Sequence, residues 1–184
     1  MKDYARSYPL FSLCGLNCGL CPMHLGGWCP GCGGGEGHQP CAFIRCARLH
    51  GSPEYCFQCG EYPCVRFEEA AAYDSFLPHR NMCRDLDRAQ RMGLDVCREQ
   101  LEERMAVLNF LLERCNDGRK KSFFCLASNL LETEDLRRIR AQLEQMSPET
   151  PVKARASLAV QLCQEAADRR SVVLKLRKKP KERP

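Results

Sequence analysis

Ten of the fifteen cysteines fall between Cys14 and Cys64, and that crowding constrains the fold more than any other feature of the sequence. The ten are Cys14, Cys18, Cys21, Cys29, Cys32, Cys41, Cys46, Cys56, Cys59 and Cys64. Few large apolar residues accompany them, with Leu13, Leu16, Leu20, Phe43 and Ile44 among the few. A stretch this poor in core-forming side chains needs a cross-link, either disulfide or metal. Met1 to Leu13 shows no sustained apolar run and no small-residue cleavage site, so no secretory signal is expected. A reducing compartment, the cytoplasm, follows, and it disfavours disulfides. An odd cysteine total also fits a closed disulfide framework badly. Metal is the expectation that remains.

The spacing supports it. Cys18/Cys21, Cys29/Cys32 and Cys56/Cys59 are Cys-x-x-Cys pairs, and Gly33 and Gly60 follow two of them. This is the sequence form of a zinc knuckle. The gap lets both sulfurs face one ion at about 2.3 Å. A glycine after the second cysteine is expected to supply a positive φ for the tight turn. Zinc is the expected ion, with an iron–sulfur cluster as the alternative, since four thiolates hold either. Cys14-x3-Cys18-x2-Cys21 has radical-SAM ligand spacing, but the strand–helix alternation of that barrel does not follow it. Ten cysteines fill two four-ligand sites and leave two over. The preferred pairing sets Cys18/Cys21 with Cys29/Cys32 and Cys41/Cys46 with Cys56/Cys59, with Cys14 and Cys64 spare or swapped in, and a cluster with bridging thiolates would use all ten.

His24, His38, His50 and His79 are read as loop histidines, because thiols already exceed what two ions need. Cys97, Cys115 and Cys163 lie on apolar stripes and read as small core residues, while Cys83 and Cys125 have no evident partner. No Walker A loop, His-Glu-x-x-His, Gly-x-Ser-x-Gly or dinucleotide fingerprint is present, so a non-enzymatic role is favoured.

The net charge of +5 is uneven. Residues 1–64 hold four basic and four acidic side chains, whereas Arg169 to Pro184 hold eight basic residues and one acidic. Thiolate-bound zinc would make the cysteine-rich part negative, which argues against a nucleic-acid surface there. The basic end reads as a solvated arm. No run of eighteen apolar residues is present, so no membrane span is expected.

Beyond Cys64 the pattern turns helical. Helices are expected over Val65–Phe76, Asn81–Met92 with Gly93 closing it, Asp95–Cys115, Ser122–Leu131, a helix N-capped by Thr133, and one begun by Thr150 with Pro151 at its first position. The longest carries Cys97, Leu101, Met105, Leu108, Leu112 and Cys115 as one stripe at helical period. The last carries Val152, Ala156, Ala159, Cys163 and Ala166. Ser171–Leu176 reads as a short strand or an extended arm.

Cys14-Gly15-Leu16-Asn17-Cys18 with Cys21-Pro22, Cys29-Pro30-Gly31-Cys32, Ile44-Arg45-Cys46 and Cys56-Phe57-Gln58-Cys59-Gly60-Glu61-Tyr62-Pro63-Cys64 together resemble the bacterial and archaeal domain of unknown function 3795 family. The resemblance covers residues 12–67. It extends more loosely to Asn116–Cys125 and Leu174–Arg177. The chain departs from the pattern after Cys41, where Cys46 follows Arg45 directly. The resemblance implies metal binding and leaves the activity open.

The expected architecture is mainly α. A cysteine-rich zinc-knuckle lobe at 12–64 packs on a helical domain at 65–170, followed by a basic arm at 171–184. The expected function is a structural zinc protein serving as a protein-interaction module, with a small iron–sulfur electron-transfer or maturation protein as the alternative. The partner expected is another protein rather than nucleic acid or membrane.

Overall fold

The computed structural model describes residues 4–37 and 41–180. Within them the chain is mainly helical. Its α-helices are α1 (Pro22–Leu25), α2 (Ala42–Leu49), α3 (Val65–Ala72), α4 (Met82–Met92), α5 (Leu94–Arg114), α6 (Lys121–Leu130), α7 (Thr133–Glu144) and α8 (Val152–Arg169). Single 3-10 turns cover Cys18–Leu20 and Cys56–Gln58. Among the described residues there is no strand, only an isolated antiparallel bridge between Ala5 and Gly34. No helix is long and apolar enough to cross a membrane, again among the described residues.

Packing divides the chain differently from composition. One unit comprises Met1–Glu99 and Leu176–Pro184, and the other Gln100–Lys175. The boundary at 64 followed cysteine and glycine content, and the one at 170 the basic charge of the end. By packing, α3 and α4 belong with the cysteine-rich stretch, and so does the end of the C-terminal arm.

In the unit Gln100–Lys175, α6 is the central element. Phe124 to Leu130 are all buried, as a helix apolar on every side requires. Around that core, α7 buries Leu136, Ile139 and Leu143, and α8 buries Ala156, Ala159, Cys163 and Ala166. The small residues of α8 suit its packing against α7. Val152, expected on the α8 stripe, is exposed. On α5 the buried face is rotated from the expected one: Leu101, Arg104, Val107, Leu108 and Leu111 are buried, while Met105 and Leu112 are only half-buried. The cause is Arg104. Its guanidinium donates to the carbonyls of Ser128 (3.2 Å) and Asn129 (3.3 Å) and to Thr133 Oγ1 (3.1 Å), satisfying the end of α6. Thr133 is therefore occupied, and Glu132, in extended backbone, stands at the N-cap of α7 in its place. At α8 the cap is Pro151 rather than Thr150, one residue later than expected. Asp135, buried, pairs with Arg170.

In the unit Met1–Glu99 and Leu176–Pro184, α4 buries Met82, Leu86 and Ala89 and ends at Gly93 with φ 91°, as its sequence anticipates. Gly15 (φ 87°) lies so close to α4 that a Cβ there would stand 2.3 Å from the Met82 carbonyl oxygen. Asn17 Nδ2 donates to Asp85 (3.0 Å) and Tyr62 Oη to Asp87 (2.7 Å). Helix α3 stops at Ala72, short of Phe76, because Tyr73 is extended. Asp74 then takes up the C-terminal arm. Its carboxylate accepts from the Arg177 amide (2.7 Å), the Arg177 guanidinium (2.9 Å) and the His79 amide (2.8 Å), and its own amide donates to the Arg177 carbonyl (2.7 Å). Residues 171–176 form no strand; Ser171 has a positive φ of 54° and the Lys175 amide turns back onto the Val173 carbonyl (2.9 Å).

Candidate metal centre

Short turns place the cysteines. Ser12 and Leu16 close a loop through Ser12 N–H to Leu16 O (2.9 Å) and Leu16 N–H to Ser12 Oγ (2.8 Å). That loop buries Cys14, whose sulfur lies 3.1 Å from Ser12 Oγ. The Cys18/Cys21 and Cys56/Cys59 pairs each fold as a 3-10 turn closed by the second cysteine's amide on the first one's carbonyl, at 3.0 Å in both. The Cys29/Cys32 pair differs: the Cys32 amide donates to Pro9 O (2.9 Å). Gly33 has the positive φ expected of the knuckle glycine, 73°. Gly60 does not, since the Cys56–Gln58 turn already reverses the chain. Cys21, Cys41 and Cys64 stand at the N-caps of α1, α2 and α3.

Two neighbourhoods of thiols result. The first surrounds Leu13, Ile44 and Ala47, with Cys32 in that core and Cys18, Cys41 and Cys56 packed on it, so that Cys56 borders both neighbourhoods. Burial pushes the Cys14 thiol up to about 12, and the charges of Cys41 and Cys32 add to this while the Ser12 hydroxyl opposes it. Burial raises Cys18 well above the usual thiol range, and Cys32, Cys14 and Cys21 raise it further. Burial also raises Cys32, against the hydrogen bond from the Leu13 amide and the pull of the Arg6 guanidinium. Arg6, with its side chain fully buried, donates to Phe11 O (2.7 Å) and Glu54 O (2.8 Å) and lies 4.5 Å over the Tyr55 ring.

The second neighbourhood is a cavity of about 260 Å³ lined by Cys46, Cys56, Cys59 and Cys64, with His50 and Arg66 beside them. Burial raises the Cys56 thiol, and Cys14, Cys64, Cys46 and Cys59 raise it further. Interaction with the Cys46 sulfur raises the Arg66 guanidinium above the ordinary arginine value. His50 Nδ1 lies 2.9 Å from the Cys46 carbonyl and 3.6 Å from its sulfur. A carbonyl only accepts, so that nitrogen carries the proton. His24 Nδ1, 3.0 Å from the Cys29 carbonyl, is tied down in the same way. His79 bridges Ala70 O and Ser75 Oγ, and His38 lies outside the described residues.

These neighbourhoods differ from the preferred pairing. Cys41 sits with Cys14 and Cys32 rather than with Cys46, and Cys64, spare or swapped in by sequence, lines the cavity with Cys46, Cys56 and Cys59. Among the described residues, no three His, Cys, Asp or Glu side chains are gathered into a group able to hold a metal ion. All fifteen cysteines are free thiols. Sequence reasoning missed Arg6, Arg66 and Cys83. Burial raises the Cys83 thiol, and the Cys64 charge adds to it. Arg66 had a signal, two residues after Cys64 on the first turn of α3. Arg6 had none. Cys163 is pushed up to about 12 by burial beside Cys115, as small core cysteines are.

What these observations define is a mainly helical protein with its thiols concentrated in one region. No family model, curated protein or solved structure matches the chain.

Proposed function

We propose that residues 12–64 form a thiolate metal-binding lobe, with zinc in a structural role, in a cytoplasmic protein-interaction module. The observation that carries this reading is the lining of one cavity by Cys46, Cys56, Cys59 and Cys64. Four thiols on one cavity match the donor number and type of a structural zinc site. The Arg66 guanidinium at Cys46 offsets part of the negative charge such a set carries. The second set would draw on Cys14, Cys18, Cys21, Cys32 and Cys41, with Arg6 at Cys32 in the corresponding role. The thiols are not gathered to ligate, so binding would be coupled to their closure on the ion, as metal binding is coupled to folding in small metal lobes. Zinc would supply cross-linking and no redox chemistry. Fifteen free thiols suit a reducing compartment. An all-thiolate iron–sulfur cluster would use the same donors.

Elemental analysis and visible absorbance of anaerobically purified protein test the reading. The expected sample is colourless, with about two zinc ions per chain. Cys59→Ser removes one ion, whereas Cys29→Ser, outside both neighbourhoods, removes none. A brown sample absorbing near ~400 nm replaces zinc with the cluster, and a metal-free, fully folded sample discards metal binding altogether.

A further inference from the structure

The unit Gln100–Lys175 holds a separate cavity of about 310 Å³ between the end of α5, the end of α7 and the first turn of α8. Phe110, Leu143, Met146 and Pro148 give it an apolar wall, and the buried Cys115 thiol lies in its lining. Its cations are Arg114 and Arg155. The other arginines of this unit that lie near carboxylates are spoken for. Arg170 pairs with Asp135, Arg137 with Glu103, and Arg140 with Glu144 at 2.7 Å while lying 5.4 Å over the Phe110 ring. Arg155 is not. Its Nε is shut off from solvent with no hydrogen-bond partner, and among the described residues its side chain forms no ion pair. The nearest groups its charge acts on include the Cys115 thiol. A half-buried guanidinium without a carboxylate partner, in the lining of a preformed cavity, is a ready receptor for an anion.

We propose that this cavity binds a small organic monocarboxylate with an apolar body. Arg155 and Arg114 take the carboxylate, and Phe110 and Leu143 take the body. The planar guanidinium fork matches a carboxylate. Glu113 and Glu144 also line the cavity and penalise a dianion. The apolar wall is of no use to an inorganic anion. The volume suits a single-ring acid. This site belongs to the other unit and does not depend on the metal reading.

Benzoate titrated into the full-length protein, followed by calorimetry and by amide NMR, is the test, with benzamide and inorganic phosphate as comparisons. Saturable benzoate binding is expected with a Kd on the order of 1 mM and shifts centred on Phe110, Cys115 and Arg155. Benzamide should bind ~10-fold more weakly or worse, because it lacks the charge. Arg155→Gln should weaken benzoate by a similar factor, and Arg155→Lys should recover part of it. The proposal is overturned by equal binding of benzoate and benzamide, by phosphate binding more tightly than benzoate, by unchanged affinity in Arg155→Gln, or by no saturable binding of benzoate. If Arg155→Gln does not fold, the benzoate–benzamide comparison on the unaltered protein decides alone.

Discussion

The cysteine-rich stretch and the α6–α8 region are held by different kinds of contact. Between Leu13 and Cys64 the buried apolar residues are few: Leu13, Leu20, Ile44, Ala47 and Tyr55, with Cys14 and Cys32 among them. Backbone hydrogen bonds across loops do much of the tying, such as Cys56 N–H to Leu13 O at 2.8 Å and Cys32 N–H to Pro9 O at 2.9 Å. In α6–α8 the apolar residues form continuous helical faces, and of the buried polar residues Asn129, Thr133 and Asp135 are answered by partners, while Ser128 Oγ is not. Where side chains fill the interior, volume sets stability. Where turns and thiols do, the proposed metal binding would make chemistry at the sulfurs set it.

Metal removal is the sharpest way to test that contrast. If the lobe is metal-held, exhaustive chelation costs it on the order of 10 kcal/mol per zinc. Protease cleavage should then appear within 12–64 while α6–α8 stay protected. Unchanged resistance of the lobe would erase the difference between the regions. Phe124→Ala, at the centre of α6 and fully buried, should cost about 3–5 kcal/mol in the helical unit. Urea unfolding followed by helix signal reads it, and a loss under about 1 kcal/mol would mean that α6 is not the core. Gly15→Ala acts on the other unit without touching a thiol. The positive φ and the 2.3 Å approach to Met82 O predict a loss of about 2–3 kcal/mol, seen as a lower unfolding midpoint, and an unshifted midpoint would contradict the close approach.

The smallest expected effect concerns Asp74. Burial raises its carboxyl, but hydrogen bonds from the Arg177 side chain and amide and from the His79 amide outweigh that and hold it below the ordinary value. A depressed carboxylate stabilises fully above its unfolded pKa of about 3.9 and loses that contribution as pH falls through the folded value. The arm should therefore stay docked from neutral pH down to about 4 and release only in stronger acid. The Arg177 amide resonance reports it. Asp74→Asn should cost about 1–2 kcal/mol and abolish the acid transition. Release in the neutral range would reverse the sign.

Regions built from periodic apolar faces were legible in the sequence. α4 with its Gly93 stop, the extent of α5, and the alanine–cysteine face of α8 all follow from residue spacing. The rotation of the α5 face was not legible, because it turns on Arg104, a charged residue buried only by virtue of carbonyls at the end of α6. Helix α2 was missed because Phe43, Ile44 and Ala47 make too short an apolar pattern among cysteines and a polar loop. In the candidate site, ligand types and spacing could be read, but neighbourhoods could not. Which sulfur faces which is decided by the turns at Ser12–Leu16 and Cys56–Gln58 and by loop-to-loop amides, none of which leaves a periodic trace.

The clasp between Asp74 and Arg177 joins residues 103 positions apart. During synthesis the ribosome delivers the first unit's main body early and its final strap only after the whole of Gln100–Lys175 has been made. The inserted unit, continuous in sequence, can acquire its structure as it emerges, whereas the first must wait with Asp74 answered only by the His79 amide. A chain released just before Arg177 would thus present a finished insert inside a host without its strap.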